Sequence, residues 1–260
     1  MDRFGINLHI HTLFSDGSFS PEDVITISRE ADLKVIAVTD HCFLSDYFIN
    51  TVIYPEQDRH PTYVVFNESP DSWEFFESKD IFKNSSIERY IEVLRALKAG
   101  SVKPAILVGG EVSFPANRLM LEEQLEWINN LDLVLFEDVK ETQLDEFIEA
   151  RMQMKCPVGL AHTDFSSAFV KMDLETLVKQ LVDADIFIEL NTANALRATF
   201  FYSYREFFEI GRDLGLKISI GSDAHSRPAD IVRLEDGESF VRELGLEKNL
   251  EWIYKLARID

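Results

Sequence analysis

Short runs of apolar residues alternate along the chain with longer segments in which apolar residues recur at helical spacing. The apolar runs predict strands at residues 5–10, 34–39, 105–110, 132–137, 157–161, 186–190 and 217–221. The intervening segments predict helices at 21–32, 86–99, 119–130, 142–154, 172–183 and 202–214, with more helix after residue 228. Strands that are each followed by a helix favour parallel pairing through right-handed crossovers.

This alternation is compatible with an open doubly wound sheet and with a closed barrel. Chemically reactive side chains follow the ends of most of the predicted strands, instead of gathering at one crossover point. That distribution favours an α/β fold of the distorted, TIM-like (β/α)7 barrel type, with its functional site at the C-termini of the strands. We expect residues 1–260 to form a single domain, because barrels of this length commonly fold as one unit.

Residues 43–85 interrupt the alternation with a long insertion that is rich in aromatic side chains, from Phe43 to Phe76. Loops of this length are uncommon in compact domains and are often functional. Two interpretations stay open. The insertion forms a lid or one wall of a pocket, or it is a folded excursion that covers one edge of the barrel without contacting a ligand.

The composition narrows the range of partners. Among 260 residues, 26 are basic and 46 acidic, which gives a formal net charge of −20, so long nucleic acids would be repelled unless bound cations intervene. Two cysteines, Cys42 and Cys156, are too few for a disulfide scaffold and suggest a reducing compartment. The sequence shows no secretory leader and no apolar run long enough to span a membrane, so we expect a cytoplasmic protein.

Five of the six histidines lie at predicted strand ends beside carboxylates. His9 and His11 close the first strand two residues apart, so both imidazoles point to the same face and can converge on one ion. The other candidate ligands follow the first, second, third, fifth and seventh strands, namely Asp16, His41, Glu111, His162, Asp223 and His225. The sixth histidine, His60, lies in the insertion and is expected at the surface.

Each of these residues alone has an ordinary structural explanation, but so many titratable groups at one rim indicate divalent cations. Without cations, burial and like-charge repulsion would oppose their gathering in one pocket. Imidazoles and carboxylates without thiolates suit Zn, Mn or Fe better than Ca or Mg. Cys42 follows His41 directly, so its side chain should point away from that of its neighbour, and we expect a buried core thiol.

As a set, these motifs resemble the PHP (polymerase and histidinol phosphatase) superfamily of metal-dependent phosphoesterases. The matching segments are His9-Ile10-His11-Thr12, Ser15-Asp16-Gly17, Thr39-Asp40-His41, Gly110-Glu111-Val112, Ala161-His162 and Ser222-Asp223-Ala224-His225. The resemblance implies a distorted seven-stranded barrel with two or three divalent ions. It assigns His9, His11, Glu111 and Asp223 to one ion, Asp16, His41 and His225 to a second, and Glu111 with His162 to a third.

The third of these ions is where the sequence departs from the family. Many members carry a histidine after the fourth strand, whereas this chain continues from Phe136 to Glu137, Asp138 and Val139. Either Glu137 or Asp138 replaces the histidine and makes the site richer in oxygen, or the third ion is weak or absent.

The resemblance also implies a reaction, the hydrolysis of a phosphoester by a metal-bridging hydroxide. Asp223 and His225 are the candidates for the catalytic acid that protonates the leaving group. Arg197 is the candidate phosphate clamp, because the segment from Glu189 through Asn191 to Arg197 resembles one in histidinol phosphatases; a structural salt bridge is the alternative. Glu189 and Asn191 are expected to orient the ligands, and Arg118 and Arg227 are further candidates for binding phosphate.

The predicted substrate is a small phosphomonoester, with histidinol phosphate first. Nucleotides or short oligonucleotides come second, since Asp16 and the missing fourth-strand histidine are shared more with phosphatases of that kind. A non-catalytic metal- or phosphate-binding module is the main rival. An amidohydrolase also carries a His-x-His on its first strand but lacks the Thr-Asp-His and Asp-x-His pairs, and a polymerase proofreading role would require a partner protein.

Overall fold

The computed structural model describes residues 3–43, 62–64, 75–77 and 84–259. Its strands are β1 (Ile6–Asn7), β2 (Val35–Val38), β3 (Thr62–Val64), β4 (Phe75–Glu77), β5 (Ala105–Val108), β6 (Glu111–Ser113), β7 (Val134–Glu137), β8 (Val158–Leu160), β9 (Ile186–Asn191) and β10 (Ile218–Gly221). Its helices are Pro21–Glu30, Asn84–Gly100, Phe114–Asn117, Leu121–Ile128, Leu144–Arg151, Phe165–Ala168, Leu174–Asp183, Ala195–Tyr202, Arg205–Leu214, Pro228–Ile231, Glu235–Leu244 and Glu247–Ala257. A 3-10 turn covers Glu141–Gln143. Within these ranges, no helix is both long enough and apolar enough to cross a membrane.

The parallel strands form two sheets, ordered β1-β2-β5 and β10-β9-β8-β7-β6. β5 and β6 follow one another directly in the chain and are separated at Gly109 and Gly110, so one segment takes part in both sheets. At the opposite edges, the N–H of Leu8 donates to the carbonyl of Ile220 at 2.8 Å. The predicted α/β fold with parallel strands is confirmed, and contacts join the two sheets at both edges, as a barrel requires.

Burial explains why most strand positions are apolar. All residues of β2, β8, β9 and β10 are buried, as expected for parallel strands that are covered on both faces. Between β7 and the helices beside it, the rings of Phe114, Phe136 and Phe147 pack edge to face with centroids 5.0–6.2 Å apart. The sheets therefore lie in an apolar interior, and two buried histidines, His9 and His11, lie just beyond the end of β1.

Several helix boundaries differ from the prediction. The helix predicted at 202–214 is the second of two, because Asn194 caps an earlier helix by accepting from the N–H of Arg197 at 3.1 Å. Arg197 consequently lies in the first turn of Ala195–Tyr202 and not in a loop. The first predicted helix begins as expected, with Ser20 and Asp23 forming a reciprocal capping box, but ends at Glu30.

Of the predicted insertion at 43–85, the structure describes Phe43, the antiparallel pair β3 and β4, and the start of helix Asn84–Gly100. The remainder, including His60, lies outside the described residues. The interpretation of the insertion as a lid or pocket wall therefore stays a prediction, as does the single-domain organisation.

Candidate metal centre

Side chains from the carboxyl ends of six strand segments converge in three groups of metal-binding type. Within each group the candidate ligand atoms lie within 4.8 Å of one another. Among the described residues, the groups are His9, His11 and Glu111; His11, Asp16, His41 and His225; and Glu111, Glu137 and His162. His11 and Glu111 each belong to two groups. All eight metal ligands predicted from the sequence are thus in one place, with Asp223 beside the first group.

In the first group, the two imidazoles of the His-x-His motif face each other, with His9 Nε2 3.0 Å from His11 Nε2. The Glu111 carboxylate approaches His9 Nε2 at 3.3 Å and His11 Nε2 at 3.4 Å. Asp223 Oδ1 lies 3.3 Å from His11 Nε2 and 3.6 Å from His9 Nε2. Two ligands bound to one ion at about 2.0–2.2 Å stand roughly 3–4 Å apart, so this spacing fits a shared cation.

In the second group, Asp16 is the central carboxylate. Its oxygens lie 3.5 Å from His11 Nδ1, 3.8 Å from His41 Nε2 and 3.2 Å from His225 Nε2. The loop that carries Asp16 passes close to the backbone of His11. A Cβ placed on Gly17 would lie 2.5 Å from the His11 carbonyl. Glycine in the Ser-Asp-Gly motif therefore permits the approach that brings Asp16 to the histidines.

In the third group, His162 Nε2 lies 3.1 Å from Glu111 Oε1 and 3.6 Å from Glu137 Oε2. Of the two acids considered in the sequence, the structure brings Glu137 into this group, while Asp138 is in none of the groups found among the described residues. Cys42 is likewise outside them, and it is buried with its thiol pKa raised by burial, as expected for a core residue.

Glu189 supports two of the histidines through hydrogen bonds. Its Oε1 accepts from His9 Nδ1 at 2.8 Å, and its Oε2 accepts from the backbone N–H of His162 at 2.7 Å. Donation from Nδ1 leaves the His9 Nε2 atom facing His11, which is the orientation that carboxylate–histidine–metal sites use. Asn191 donates to Glu189 at 3.2 Å, so both residues lie where an orienting role, expected from the sequence, requires them.

Asp40 has an organising position that the sequence reasoning did not identify. This buried carboxylate accepts from the N–H of Thr12 at 2.6 Å, the hydroxyl of Thr12 at 2.7 Å and the hydroxyl of Ser15 at 2.6 Å. It therefore fixes the loop between His11 and Asp16. The only available signal was its place in the Thr-Asp-His motif, which does not reveal that the aspartate faces a loop from another strand.

Two of the candidate ligands have left-handed backbone conformations, which are uncommon outside glycine. The φ angles are 30° at His162 and 51° at Asp223. Each N–H is anchored, that of His162 by Glu189 and that of Asp223 by the His9 carbonyl at 2.9 Å. Strained conformations that are held this way cluster at functional sites, and here they turn both side chains toward the same centre.

The burial of so many charged groups perturbs their protonation. Burial opposes the charged form of His11, but hydrogen bonds to Asp223 and Glu111 raise its pKa to about 10. Burial would likewise raise the pKa of Glu111, yet the charge of His9 and hydrogen bonds from His11 and His162 hold it well below its usual value. The alternation of imidazole and carboxylate thus stabilises ion pairs in the interior.

Two other groups in the cluster, His41 and Glu137, are driven toward their neutral forms. Burial lowers the pKa of His41 to about 4, against the attraction of Glu111. Burial, with the negative charge of Glu111, raises the pKa of Glu137 to about 8. A divalent cation would replace the protons that this arrangement requires, so the donor set fits metal ions in its chemistry as well as its spacing.

The three predicted phosphate-binding arginines occupy different surroundings. Arg197 donates to the backbone carbonyl of His162 at 3.3 Å, so its guanidinium adjoins the third group. Arg118 pairs with Glu146 at 3.3 Å, and Arg227 pairs with Asp230 at 2.8 Å. The structure brings only the first of these three into contact with the metal centre, among the described residues.

A PHP domain family model matches residues 7–167. An uncharacterized protein from Methanocaldococcus jannaschii is 25% identical over 248 residues, which cover 94% of this chain and 89% of that protein. The segment matched by the family model contains six of the eight candidate ligand positions, from His9 to His162.

Solved structures with the same fold include a histidinol phosphate phosphatase from Lactococcus lactis subsp. lactis in complex with Zn, L-histidinol and phosphate. It has a TM-score of 0.58 at 15% identity, with 92% of this chain and 93% of that chain covered. A chain in the cryo-EM structure of archaeal ribonuclease P with mature tRNA also scores 0.58 at 15% identity, with 97% and 90% covered. Since the family model spans well over half of the sequence, and the metal centre carries its motifs, the chain belongs to the PHP domain family.

Proposed function

We propose that the chain hydrolyses a small phosphomonoester in a reaction that requires two or three divalent ions of Zn, Mn or Fe. The observation that carries the proposal is the convergence of five imidazoles with Asp16, Glu111, Glu137 and Asp223 at one end of the strands. Ions bound there supply a Lewis acid for the phosphoryl oxygens and lower the pKa of a bound water. The net charge of −20 makes such cations necessary for an anionic substrate to approach.

Arg197 is placed to bind the phosphate of that substrate. Within the described part of the chain, its guanidinium donates to the His162 carbonyl and lies over the ring of Phe200, 5.6 Å from the centroid. A guanidinium has five N–H groups, so this arrangement fixes the side chain while leaving donors for a bidentate contact with phosphate. Arg118 and Arg227, each paired with a carboxylate, are secondary candidates for the same task.

The leaving group must gain a proton when the phosphoester bond breaks. Both predicted acids, Asp223 and His225, adjoin the centre, with Asp223 Oδ1 3.6 Å from His225 Nδ1. The His225 side chain is 33% exposed and that of Asp223 is 14% exposed. We favour His225 as the proton donor, because a leaving group that departs toward solvent can reach it more directly; in that role it leaves the second ion to His11, Asp16 and His41.

Histidinol phosphate, or a compound like it, is the substrate we propose first. The Arg197 segment supports this choice, as does the likeness in fold to a phosphatase that binds L-histidinol and phosphate. Nucleotides or short oligonucleotides are the second candidate, which the likeness to a ribonuclease P chain favours. The acidic net charge opposes long nucleic acids without metal, and a cytoplasmic location remains a prediction.

The test is hydrolysis by metal-reconstituted protein of a panel that contains histidinol phosphate, AMP, a 3′,5′-bisphosphate and a short oligonucleotide. We expect phosphate release from one monoester, loss of that activity on chelation, and loss in His9→Ala. Arg197→Ala should raise KM, whereas Arg205→Ala, which removes an identical side chain from the pair with Glu243, should change KM little.

The outcomes separate the alternatives. Preference for the oligonucleotide or the bisphosphate would support the second candidate. Protein that binds two or three ions but releases phosphate from none of the substrates would instead be a metal- or phosphate-binding module. Activity that survives in His9→Ala at the wild-type level would contradict the assignment of the site itself.

A further inference from the structure

The three groups in the metal centre differ in their donor atoms. The first group offers two imidazoles and one carboxylate, with a second carboxylate from Asp223 adjacent, and the second group offers three imidazoles and one carboxylate. The third group reverses the balance, with two carboxylates, from Glu111 and Glu137, and the single imidazole of His162. One chain thus presents nitrogen-rich and oxygen-rich sites side by side.

We propose that the Glu111, Glu137 and His162 group selects a hard, oxygen-preferring divalent cation such as Mn²⁺, while the two imidazole-rich groups select Zn²⁺. Glu137 is the residue that determines this difference. The inference rests on the function proposed above only for the premise that the centre binds ions. It adds that the bound ions are of two different elements.

The physical reason is the match between ligand and metal. Imidazole donors suit Zn²⁺, whereas carboxylates and water suit Mn²⁺ and similar hard cations. Zn²⁺ binds most mixed sites more tightly than Mn²⁺ does, so selectivity depends on ligand type and geometry and not on affinity alone. Glu137 also contributes a negative charge that belongs to this group alone, since Glu111 is shared with the first group, and this charge favours an ion that is held mainly by electrostatic attraction.

The geometry supports Glu137 as a true member of the group. Its Oε2 lies 3.6 Å from His162 Nε2, and its side chain is only 13% exposed, so it is not a solvated surface acid that points at the centre by chance. It ends β7, in register with Ser113 of β6, which starts at Glu111. On the other side, Glu189 anchors the left-handed His162 backbone. The three donors therefore come from separate rigid elements.

The experiment is a displacement titration without substrate. The protein is loaded with excess Mn²⁺, freed of unbound metal and titrated with Zn²⁺, while released Mn²⁺ is followed by electron paramagnetic resonance. For the wild-type protein we expect two Mn²⁺ ions to be released stoichiometrically by the first two equivalents of Zn²⁺, and the third only by a clear excess. Glu137→His should release all three with the first three equivalents.

Two further variants keep the test decisive. Glu137→Gln keeps the size of the side chain but removes its charge, and it should hold two ions instead of three. Asp138→Asn changes the neighbouring carboxylate and should titrate like the wild type. Thermal unfolding of each variant checks that it is folded.

The proposal is overturned if the wild-type protein releases three Mn²⁺ ions in one stoichiometric phase, if it holds only two, or if Asp138→Asn shifts the titration as Glu137→His does. Because no substrate is present, a failed titration leaves the hydrolysis results untouched. Conversely, an inactive protein that shows the two-phase release would refute the proposed function and support this inference.

Discussion

Gly221 is the point at which a single methyl group should disturb the metal centre most directly. A Cβ built at this position would lie 2.0 Å from Glu189 Oε1 and 2.6 Å from the Cβ of His9. The first atom is the acceptor of the His9 Nδ1 hydrogen bond at 2.8 Å. Gly221→Ala must therefore push Glu189 away from His9, or separate β10 from β1, and either movement displaces the His9 imidazole.

The expected loss of stability in Gly221→Ala follows from two costs. Overpacking a well-packed interior costs about 1–3 kcal/mol, and the loss of a hydrogen bond to a charged group costs about 1.5–3 kcal/mol. We expect Gly221→Ala to lower the free energy of unfolding of the metal-free protein by about 3 kcal/mol or more. Since the φ angle at Gly221 is not positive, the cost arises from crowding and not from an unfavourable backbone conformation.

Chemical denaturation of the metal-free protein measures this change, with Gly100→Ala as the matched control. A Cβ on Gly100 meets no atom within 4 Å, so the control should be neutral or stabilising by up to about 1 kcal/mol. Elemental analysis after reconstitution should show that Gly221→Ala also retains less metal. If both variants unfold within about 0.5 kcal/mol of the wild type and hold the same metal, Glu189 does not support His9 in the way described here.

Four further changes test the centre. The pKa of His11 is about 10 and that of Glu137 about 8, so both groups must lose protons when they bind metal near pH 7. Metal binding should therefore release protons and weaken as the pH falls, and calorimetry in two buffers detects the released protons. Glu111→Gln should reduce bound metal by more than Glu137→Gln in elemental analysis, since it weakens two groups. Asp40→Asn should raise the metal dissociation constant about tenfold or more by loosening the Asp16 loop, as measured by competition with a chelator. Arg197→Lys should raise KM while kcat changes less, because an ammonium lacks the bidentate fork.

The sequence predicted the parts of this protein that depend on periodicity and on residue type. Apolar runs located the seven parallel strand segments, since a strand covered on both faces has few polar positions. The strand ends located the ligands, because parallel strands finish at one end of the molecule. His9 and His225 are 216 positions apart in the chain, yet the structure places both beside His11.

What the sequence did not reveal depends on tertiary contacts. The choice between Glu137 and Asp138 depends on which side chain faces His162, and neighbouring residues at the end of a strand leave that undecided. The break between helices Ala195–Tyr202 and Arg205–Leu214 escaped the periodicity argument because apolar residues continue across it. Asp40 gained its role only when the loop from Thr12 to Ser15 came to lie beside it.

Ligand sharing explains why this centre needs such extensive support. Glu111 is within 3.4 Å of histidines from three different strand ends, with His9 and His11 from the first, His41 from the second and His162 from the fifth. A displacement of this one carboxylate would change two of the three groups, so it must be held more rigidly than a ligand of a single ion. Its 1% exposure and its place at the start of β6, between two paired strand segments, provide that rigidity. The buried residues Glu189 and Asp40 also hold ligands in place. This support is needed because, in a shared centre, the position of each ligand limits the positions of all the others.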